Sequence, residues 1–407
     1  MLIHGLVDND LHPARFGGTQ RAFGLFRGLA RAHEVQVLSI VPNRTRSPRE
    51  ERVAGVTLLR RKAWYTSLAW RLDRAGLLPL QSAAEIHARS ARRWLGTLPG
   101  RPDVLAAEFA LAGLLGRSAA RLDVHLSQNV EADFFATTAR RLAFGAAWTA
   151  RIRDRERRAV QRAGLTVVVS EEDAARMIDL HGAEAARLEV IPNGWDETAI
   201  RPPAAGERQR ARAALGLGPD APVALFVGSD APHNRDAARW LVERLGPEVA
   251  KAGGMLVLAG GVCRSIGTRA PWLRVAGEVD DLLPVLHAAD VGLNPVLQGG
   301  GSNVKVPTCL GAGLAVVTTS FGLRGYASLA PLVTVAEPAD FAAAVAARPR
   351  GWAARGEAMP AAVAAHGWGP LGEQLGVRIA RRLAPQSTGH ARPAGDSAAA
   401  SRREAVA

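Results

Sequence analysis

Short apolar runs of strand length alternate along the chain with longer stretches that have helical spacing. In the first half, strands are predicted at residues 2–7, 35–41, 104–107, 124–126, 165–169 and 188–191. Between the first two, residues 19–32 carry apolar side chains at the spacing of one helix face. Alternation of this kind is typical of a parallel sheet with helices on both faces.

A second series follows residues 201–218, a stretch rich in Ala, Pro, Gly and charge that is interpreted as a linker with a short helix. Strands are predicted at 223–227, 255–259, 291–293 and 315–318, and helices at 235–245, 282–288 and 303–312. We therefore expect an α/β chain of two doubly wound, Rossmann-like domains that face each other across a cleft. Ligands of such sheets bind outside the carboxyl ends of the strands.

The domain boundaries follow from the same pattern. The first domain is predicted at residues 1–200 and the second at 201–350, with helices at 351–385 that return to the first domain. Residues 386–407 have almost no large apolar side chains, so we expect a disordered tail there.

Composition narrows the class of protein. Hydrophobic residues make up 48% of the chain and charged residues 22%, which excludes a wholly disordered or coiled-coil protein. The 51 Lys and Arg against 38 Asp and Glu give a net charge of +13, but both halves share the excess. Because a nucleic-acid footprint is a patch or stripe, we expect no nucleic-acid partner, although binding of nucleic acid or of an anionic membrane stays open as a hypothesis.

Neither end of the chain nor its cysteines indicates export. The first ten residues, MLIHGLVDND, lack a basic region, and no run reaches 18 apolar residues. Cys263 and Cys309 lie in unlike contexts, so no disulfide is expected, and no clustered acids or histidines predict a metal site. The prediction is a cytoplasmic protein, with a peripheral contact at the inner face of the cell membrane.

The sharpest chemical signal lies at residues 291–326, VGLNPVLQGGGSNVKVPTCLGAGLAVVTTSFGLRGY, which has the order strand, glycine loop, helix, strand. Gly299, Gly300 and Gly301 let the backbone approach a ligand, and Ser302 is predicted to cap the helix. Such a loop suits a diphosphate, and Lys305, one of only three lysines, would lie beside it. A tight turn and a solvated lysine are the structural alternatives.

This segment resembles the C-terminal domain of the retaining nucleotide-sugar glycosyltransferases of family four, which have the GT-B fold. The likeness is to a bacterial subgroup in which a Gly/Ser-rich loop is followed by Asn, a hydrophobic residue and Lys. Five further segments match in order: FGGTQRAFGLFRGLARAHEVQVLSI near the start, SQNVEADF at 127–134, VVVSEEDAARM, VIPNGWD, and FVGSDAPHNRDAARWL at 226–241.

The resemblance implies a hexosyltransferase-like enzyme of polysaccharide biosynthesis, with a nucleotide-diphosphate sugar as co-substrate and no cofactor. Transfer would go to a glycan, lipid-linked or small-molecule acceptor, with retention and without metal. The implied donor-binding residues are Gly17, Gly18, Asn129, Gly194, Ser229, Asn234, Gly300, Gly301, Ser302, Asn303, Lys305 and Thr308. Lys305 would act on the leaving diphosphate, and Glu131 is the second catalytic candidate.

Two departures from the family pattern, at Thr308 and Gln128, motivate an alternative, a non-catalytic GT-B protein that binds a nucleotide sugar or a partner. Thr308 stands where an acid usually accepts hydrogen bonds from the ribose, and Gln128 stands where a His is usual. The family's Arg and Lys after the first strand of domain two are missing, which leaves Arg15 or Arg324 to supplement Lys305.

The acceptor side is less specific. Glu108 or Glu131 could orient an acceptor hydroxyl, with helix capping or an ion pair as the alternative. Two basic aromatic stretches, 58–74 and 140–162, are candidates for the acceptor side, and the spacing of the second suits a membrane surface or a helix packed on the sheet. His233 and His287 are interpreted as surface or satisfied core histidines.

Overall fold

The computed structural model describes residues 1–14, 17–115, 122–139, 142–347, 356 and 358–383. The predicted disordered tail at 386–407 and Arg15 lie outside the described residues. Among the helices of the described part, none is both long and apolar enough to cross a membrane.

The first sheet belongs to domain one and has eight described strands. They are β1 (Leu2–Val7), β2 (Glu34–Pro42), β3 (Glu50–Val53), β4 (Val56–Ala63), β5 (Val104–Glu108), β6 (Val124–Leu126), β7 (Leu165–Val168) and β8 (Leu188–Val190). The order is β3-β4-β2-β1-β5-β6-β7-β8, and every pair is parallel except β3 with β4.

The second sheet belongs to domain two and is parallel throughout its six described strands. They are β9 (Val223–Val227), β10 (Met255–Ala259), β11 (Leu273–Gly277), β12 (Val291–Asn294), β13 (Ala315–Thr318) and β14 (Thr334–Val335), in the order β11-β10-β9-β12-β13-β14. The predicted α/β class with two Rossmann-like domains is therefore confirmed.

The described helices cover the two sheets. They are α1 (Gly17–Leu29), α2 (Trp64–Arg74), α3 (Ala83–Leu95), α4 (Phe109–Leu115), α5 (Glu131–Ala139), α6 (Gly145–Arg162), α7 (Glu171–His181), α8 (Glu207–Ala214), α9 (Pro232–Trp240), α10 (Gly246–Lys251), α11 (Leu283–Ala288), α12 (Lys305–Gly311), α13 (Phe341–Ala346), α14 (Met359–Ala362) and α15 (Trp368–Leu383). A π-helical turn, Leu241–Leu245, joins α9 to α10.

The strands that the apolar pattern missed include a hairpin of domain one. Strands β3 and β4 pair across the turn Ala54–Gly55, where both residues have positive φ. The apolar pattern does not reveal β4 because this strand carries charged residues. One of them, Arg60, is nevertheless buried, and it forms ion pairs with Asp10 and Glu51 at 2.7 and 2.8 Å. Strands β11 and β14 were missed as well.

The last helix completes the core of domain one. Leu371, Leu375 and Ile379 of α15 belong to the same apolar cluster as the strands of the first sheet. Glu197 caps this helix, because its carboxylate accepts hydrogen bonds from the amides of Trp368 and Gly369 at 3.0 and 2.9 Å. The chain thus leaves domain one near residue 195 and returns beside the same point, where Trp195 pairs with Gly367.

Arg21 of α1 holds the segment that leaves domain one. Its guanidinium is buried and donates to the carbonyl of Ser127 at 3.2 Å, to that of Ile191 at 2.8 Å and to Oδ1 of Asn193 at 3.2 Å. Burial lowers the pKa of Arg21 to about 10, which leaves it charged at neutral pH. Asn193 in turn donates from Nδ2 to the carbonyl of Ser302 in domain two, at 2.9 Å.

We expect Asn193→Ala to lower the free energy of unfolding by about 1–3 kcal/mol, because it removes the side-chain donor to the buried carbonyl of Ser302 and one acceptor of the buried Arg21 guanidinium. Denaturant unfolding measures the change. The matched control is Asn43→Ala, since Asn43 is exposed. Equal unfolding midpoints for the two variants would contradict this role of Asn193.

Candidate active site

The glycine loop (residues 298–304) follows β12 and reaches across to domain one. Gly299 and Gly301 have φ of 128° and 70°, a region that favours glycine. A Cβ on Gly300 would lie 2.6 Å from Oδ1 of Asn129, and one on Gly301 would lie 2.9 Å from the same atom. All three glycines are therefore required, two by conformation and one by its approach to domain one.

Ser302 does not cap the following helix, so that prediction is wrong. Helix α12 begins at Lys305, its N-cap residue is Val304, and no side chain caps it. The Ser302 hydroxyl accepts a hydrogen bond from the amide of Asn193 at 3.1 Å instead. The serine joins the two domains because its carbonyl and hydroxyl both face Asn193.

Lys305 lies against the end of β9. Its Nζ donates to Oδ1 of Asn234 at 3.0 Å and lies 4.8 Å from the centre of the Phe226 ring. The Asn234 amide donates to Oγ of Ser229 at 3.1 Å. Three of the predicted donor-binding residues thus form one chain of hydrogen bonds.

The ammonium group of Lys305 has no carboxylate partner within the described ranges. Burial lowers its pKa to about 8. A desolvated cation of this kind gains stability when an anion binds beside it. The position therefore suits a phosphate group.

The backbone of the glycine loop offers further donors. In the described structure, the amides of Gly299, Gly300 and Gly301 donate to no protein acceptor. Successive free N–H groups in a glycine-rich turn form a concavity that binds anions. Together with Lys305 they can hold a diphosphate.

His233 is a site residue that sequence reasoning set aside. Its half-buried ring lies 3.2 Å from the position that a Cβ on Gly299 would take. Burial first, and then the nearby charge of Lys305, lower its pKa to about 4, so the ring is neutral at pH 7. Its place directly before Asn234 was the available signal. His287, in contrast, is buried and bonded to the carbonyl of Arg201 at 2.9 Å, as expected.

Domain one contributes two carboxyl groups to the opposite side. Glu108 ends β5 and accepts a hydrogen bond from Nε2 of Gln128, which also donates to the carbonyl of Gly18 at 3.1 Å. Glu131 begins α5 and accepts from Nδ2 of Asn129 at 3.2 Å. Asn129 therefore lies between the glycine loop and Glu131.

Neither Glu108 nor Glu131 forms an ion pair with any residue in the described part of the chain. Burial, with the charge of Asp8 next in size, raises the pKa of Glu108 to about 8. Burial, followed by the charge of Glu156, raises that of Glu131 to about 8. Both groups are thus mostly protonated at neutral pH and can donate or accept a proton close to it.

The remaining predicted site residues lie in different surroundings. Gly17 and Gly18 form the first turn of α1, and the half-buried Thr308 lies in α12 beyond Lys305. A Cβ on Gly194 would lie 2.8 Å from the Trp368 ring, so this glycine packs on α15 rather than on the glycine loop. The half-buried Asn303 donates to the carbonyl of Gly322 at 3.4 Å.

Arg324 is engaged elsewhere, because it pairs with Asp173 of domain one. No group of three or more His, Cys, Asp or Glu side chains that could hold a metal ion occurs among the residues described.

Two family profiles match successive parts of the chain. The glycosyl transferase 4-like domain matches residues 16–194, and the glycosyl transferases group 1 family matches residues 221–348. The chain therefore contains a glycosyl transferase 4-like domain followed by a glycosyl transferases group 1 domain. The border between the profiles falls where the chain passes from the first sheet to the second.

Relatives of this chain include D-inositol 3-phosphate glycosyltransferase of Mycobacterium ulcerans, 32% identical over 152 residues, or 33% of this chain and 31% of the relative. The chain therefore matches less than a third of that relative's length. Sucrose-phosphate synthase of Thermosynechococcus elongatus has a similar fold, with a TM-score of 0.70, 17% identity and coverage of 94% and 99% of the two chains. Anabaena Alr3699/HepE in complex with UDP gives a TM-score of 0.59, 14% identity and coverage of 94% and 100%.

The raised pKa of Glu108 predicts a pH-dependent stability. Between the ordinary value of 4.5 and about 8, the folded chain holds a proton that the unfolded chain has released. Stability should therefore fall as the pH rises through this range, and Glu108→Gln should make the fall smaller.

Melting temperatures across this pH range test the prediction. Glu373→Gln is the matched control, because Glu373 is exposed on α15. If the wild-type and Glu108→Gln curves run parallel, Glu108 is not protonated in the folded chain.

Proposed function

We propose that the chain transfers a sugar, as a hexosyltransferase, from a nucleotide-diphosphate sugar to an acceptor on the domain-one side of the cleft. The observation that carries the proposal is the position of Lys305, a half-buried lysine without a carboxylate partner among the described residues, at the end of a loop with free amides. The UDP bound to Alr3699/HepE, a protein of similar fold, supports a nucleoside diphosphate as the leaving group.

Lys305 and the loop amides would stabilise the negative charge that grows on the diphosphate as its bond to the anomeric carbon breaks. Donors that are fixed before the reaction stabilise such charge without reorganisation. Ser229 and Asn234 hold the ammonium group in place. Retention of configuration and independence of metal are part of the proposal.

Domain one would supply the acceptor side. Glu131, held by Asn129, would orient the acceptor hydroxyl that attacks the anomeric carbon. Glu108, which accepts a hydrogen bond from Gln128, would be the second carboxyl group on this side of the cleft. The first turn of α1 at Gly17 and Gly18 would cover the phosphates. A glycan or lipid-linked molecule at an inner membrane face is the proposed acceptor.

We expect Lys305→Ala to lower kcat by about a hundredfold or more, because it removes a charge that acts on the leaving group. Release of nucleoside diphosphate from UDP-, GDP- and TDP-sugars measures turnover. Lys251→Ala is the matched control, since Lys251 is exposed and pairs with Glu248.

Two results would contradict the proposal in different ways. Unchanged turnover in Lys305→Ala would remove this lysine from the mechanism. A wild-type chain that binds UDP, seen as a rise in melting temperature, but releases no nucleotide from any of these sugars would support the non-catalytic alternative.

The lowered pKa of Lys305 also predicts how donor binding depends on pH. The ammonium form, which binds phosphate, prevails only below about pH 8. KM for the donor should therefore rise as the pH passes 8, while Lys305→Arg should show no such rise because arginine stays charged. A series of KM values across this range provides the measurement, and an equal rise in both proteins would contradict the assignment.

A further inference from the structure

One end of domain one exposes a concentration of apolar side chains. Of the 13 large hydrophobic residues exposed in the described part of the chain, seven lie between residues 64 and 86 or at Phe144. Trp64 is 67% exposed and Phe144 81% exposed. A concentration of exposed apolar side chains is unusual on a soluble domain and indicates a site of interaction with a protein or a membrane.

Phe144 is held outward by a strained backbone. Its φ is 59°, a left-handed conformation that is rare for a bulky residue. The neighbouring Ala143 amide donates to the carbonyl of Gly76 at 2.7 Å, which places Phe144 beside the segment that follows α2. Strain of this kind is retained where an outward side chain has a use.

Arginines surround the indole of Trp70 in the same region. The guanidinium carbons of Arg44 and Arg74 each lie 5.0 Å from the centre of the Trp70 ring. With Arg71 and Trp64 they line a surface pocket of about 650 Å³. No carboxylate of the described structure pairs with any of these three arginines.

Helix α6, the other basic stretch, also places two arginines near an indole, since Arg151 and Arg155 lie 5.1 and 5.9 Å from the centre of the Trp148 ring, but this helix is packed against the protein. Ile152 is fully buried and Trp148 packs against the cluster that contains it. Arg157 and Arg158 both pair with Asp154 of the same helix. Val160 of the same helix shares an apolar cluster with Val168 of β7, so the alternative of a helix packed on the sheet holds for α6, and its charges are partly neutralised within the protein.

We propose that the α2 surface, formed by Arg44, Trp64, Trp70, Arg71, Arg74 and Phe144, docks domain one on an anionic phospholipid bilayer. The unpaired guanidinium groups would bind lipid phosphates in the pocket, and the exposed tryptophans and phenylalanine would enter the interfacial layer. Apolar burial combined with arginine at the phosphate level is the chemistry of interfacial binding.

The surface lies on the side of the molecule where the cleft opens. Arg44 follows the carboxyl end of β2 and α2 follows that of β4, and both strands run parallel to β1. Strand β4 is two strands from β1, or about 10 Å across the sheet. If the proposed glycosyl transfer holds, docking would bring the acceptor side of the cleft to the bilayer, which specifies a lipid-borne acceptor.

Sedimentation of the full chain with vesicles tests the docking. We expect binding to phosphatidylcholine vesicles that contain phosphatidylglycerol and little binding to phosphatidylcholine alone. Arg71→Gln with Arg74→Gln should weaken binding by about fivefold for each arginine removed. The same positions changed to Lys should retain most of it. Trp64→Ser with Phe144→Ser should weaken it without a change in charge.

The matched control is Arg269→Gln with Arg274→Gln, which removes two exposed arginines from domain two. The rise in melting temperature on addition of UDP shows whether each variant is folded. If no protein in the series, the wild type included, shows this rise, the result counts against the proposed function and not against docking. Equal vesicle binding by the Arg71/Arg74 variant, the control and the wild type would overturn the proposal. The proposal would also be overturned if Trp64→Ser with Phe144→Ser left vesicle binding unchanged and the chain bound single-stranded DNA equally well.

Discussion

The arrangement of the two domains depends on one buried guanidinium group. Arg21 has no carboxylate partner in the described structure, and backbone carbonyls and Asn193 satisfy it instead. These acceptors lie at the ends of β6 and β7 and in the segment that leaves domain one. A buried charge is tolerated only when all of its donors are used, so the segment can adopt few other paths. Because Asn193 forms two hydrogen bonds with Ser302, the position of the glycine loop is fixed relative to domain one.

The cleft combines three kinds of polar group in separate places. Free amides and the ammonium of Lys305 lie on domain two, while Glu108 and Glu131 lie on domain one with raised pKa values. Asn129 is the contact between them, because it lies against Gly300 and bonds to Glu131. Such a division would let domain two bind an anion while the carboxyl groups of domain one orient a hydroxyl. The reacting atoms would then meet between the two domains.

The sequence was sufficient to predict most strands of the fold, but not the side-chain contacts within and between the domains. The apolar runs located ten strands because most residues of these parallel strands are buried between two layers of helices, so apolar side chains predominate in them. Strand β4 was not predicted because it contains Arg60, and the sequence does not show that Asp10 and Glu51 neutralise this buried arginine. The sequence proposed Lys305 and the three glycines as neighbours from the order strand, glycine loop and helix, from the rarity of lysine and from the family resemblance. The hydrogen bonds between Asn193 and Ser302 depend on the packing of two domains, and the contact of His233 with the loop depends on the packing of α9 beside β12, which no local pattern encodes.

The return of the last helix has a consequence for the order of synthesis. The core of domain one includes Leu371, Leu375 and Ile379, so its apolar interior is incomplete until these residues have left the ribosome. Domain two, whose core clusters extend no further than Val363, can close first. A domain that must wait for a helix encoded after the next domain exposes an unfinished apolar surface while that domain is synthesised. The nascent chain is therefore the state of this protein most dependent on protection from aggregation.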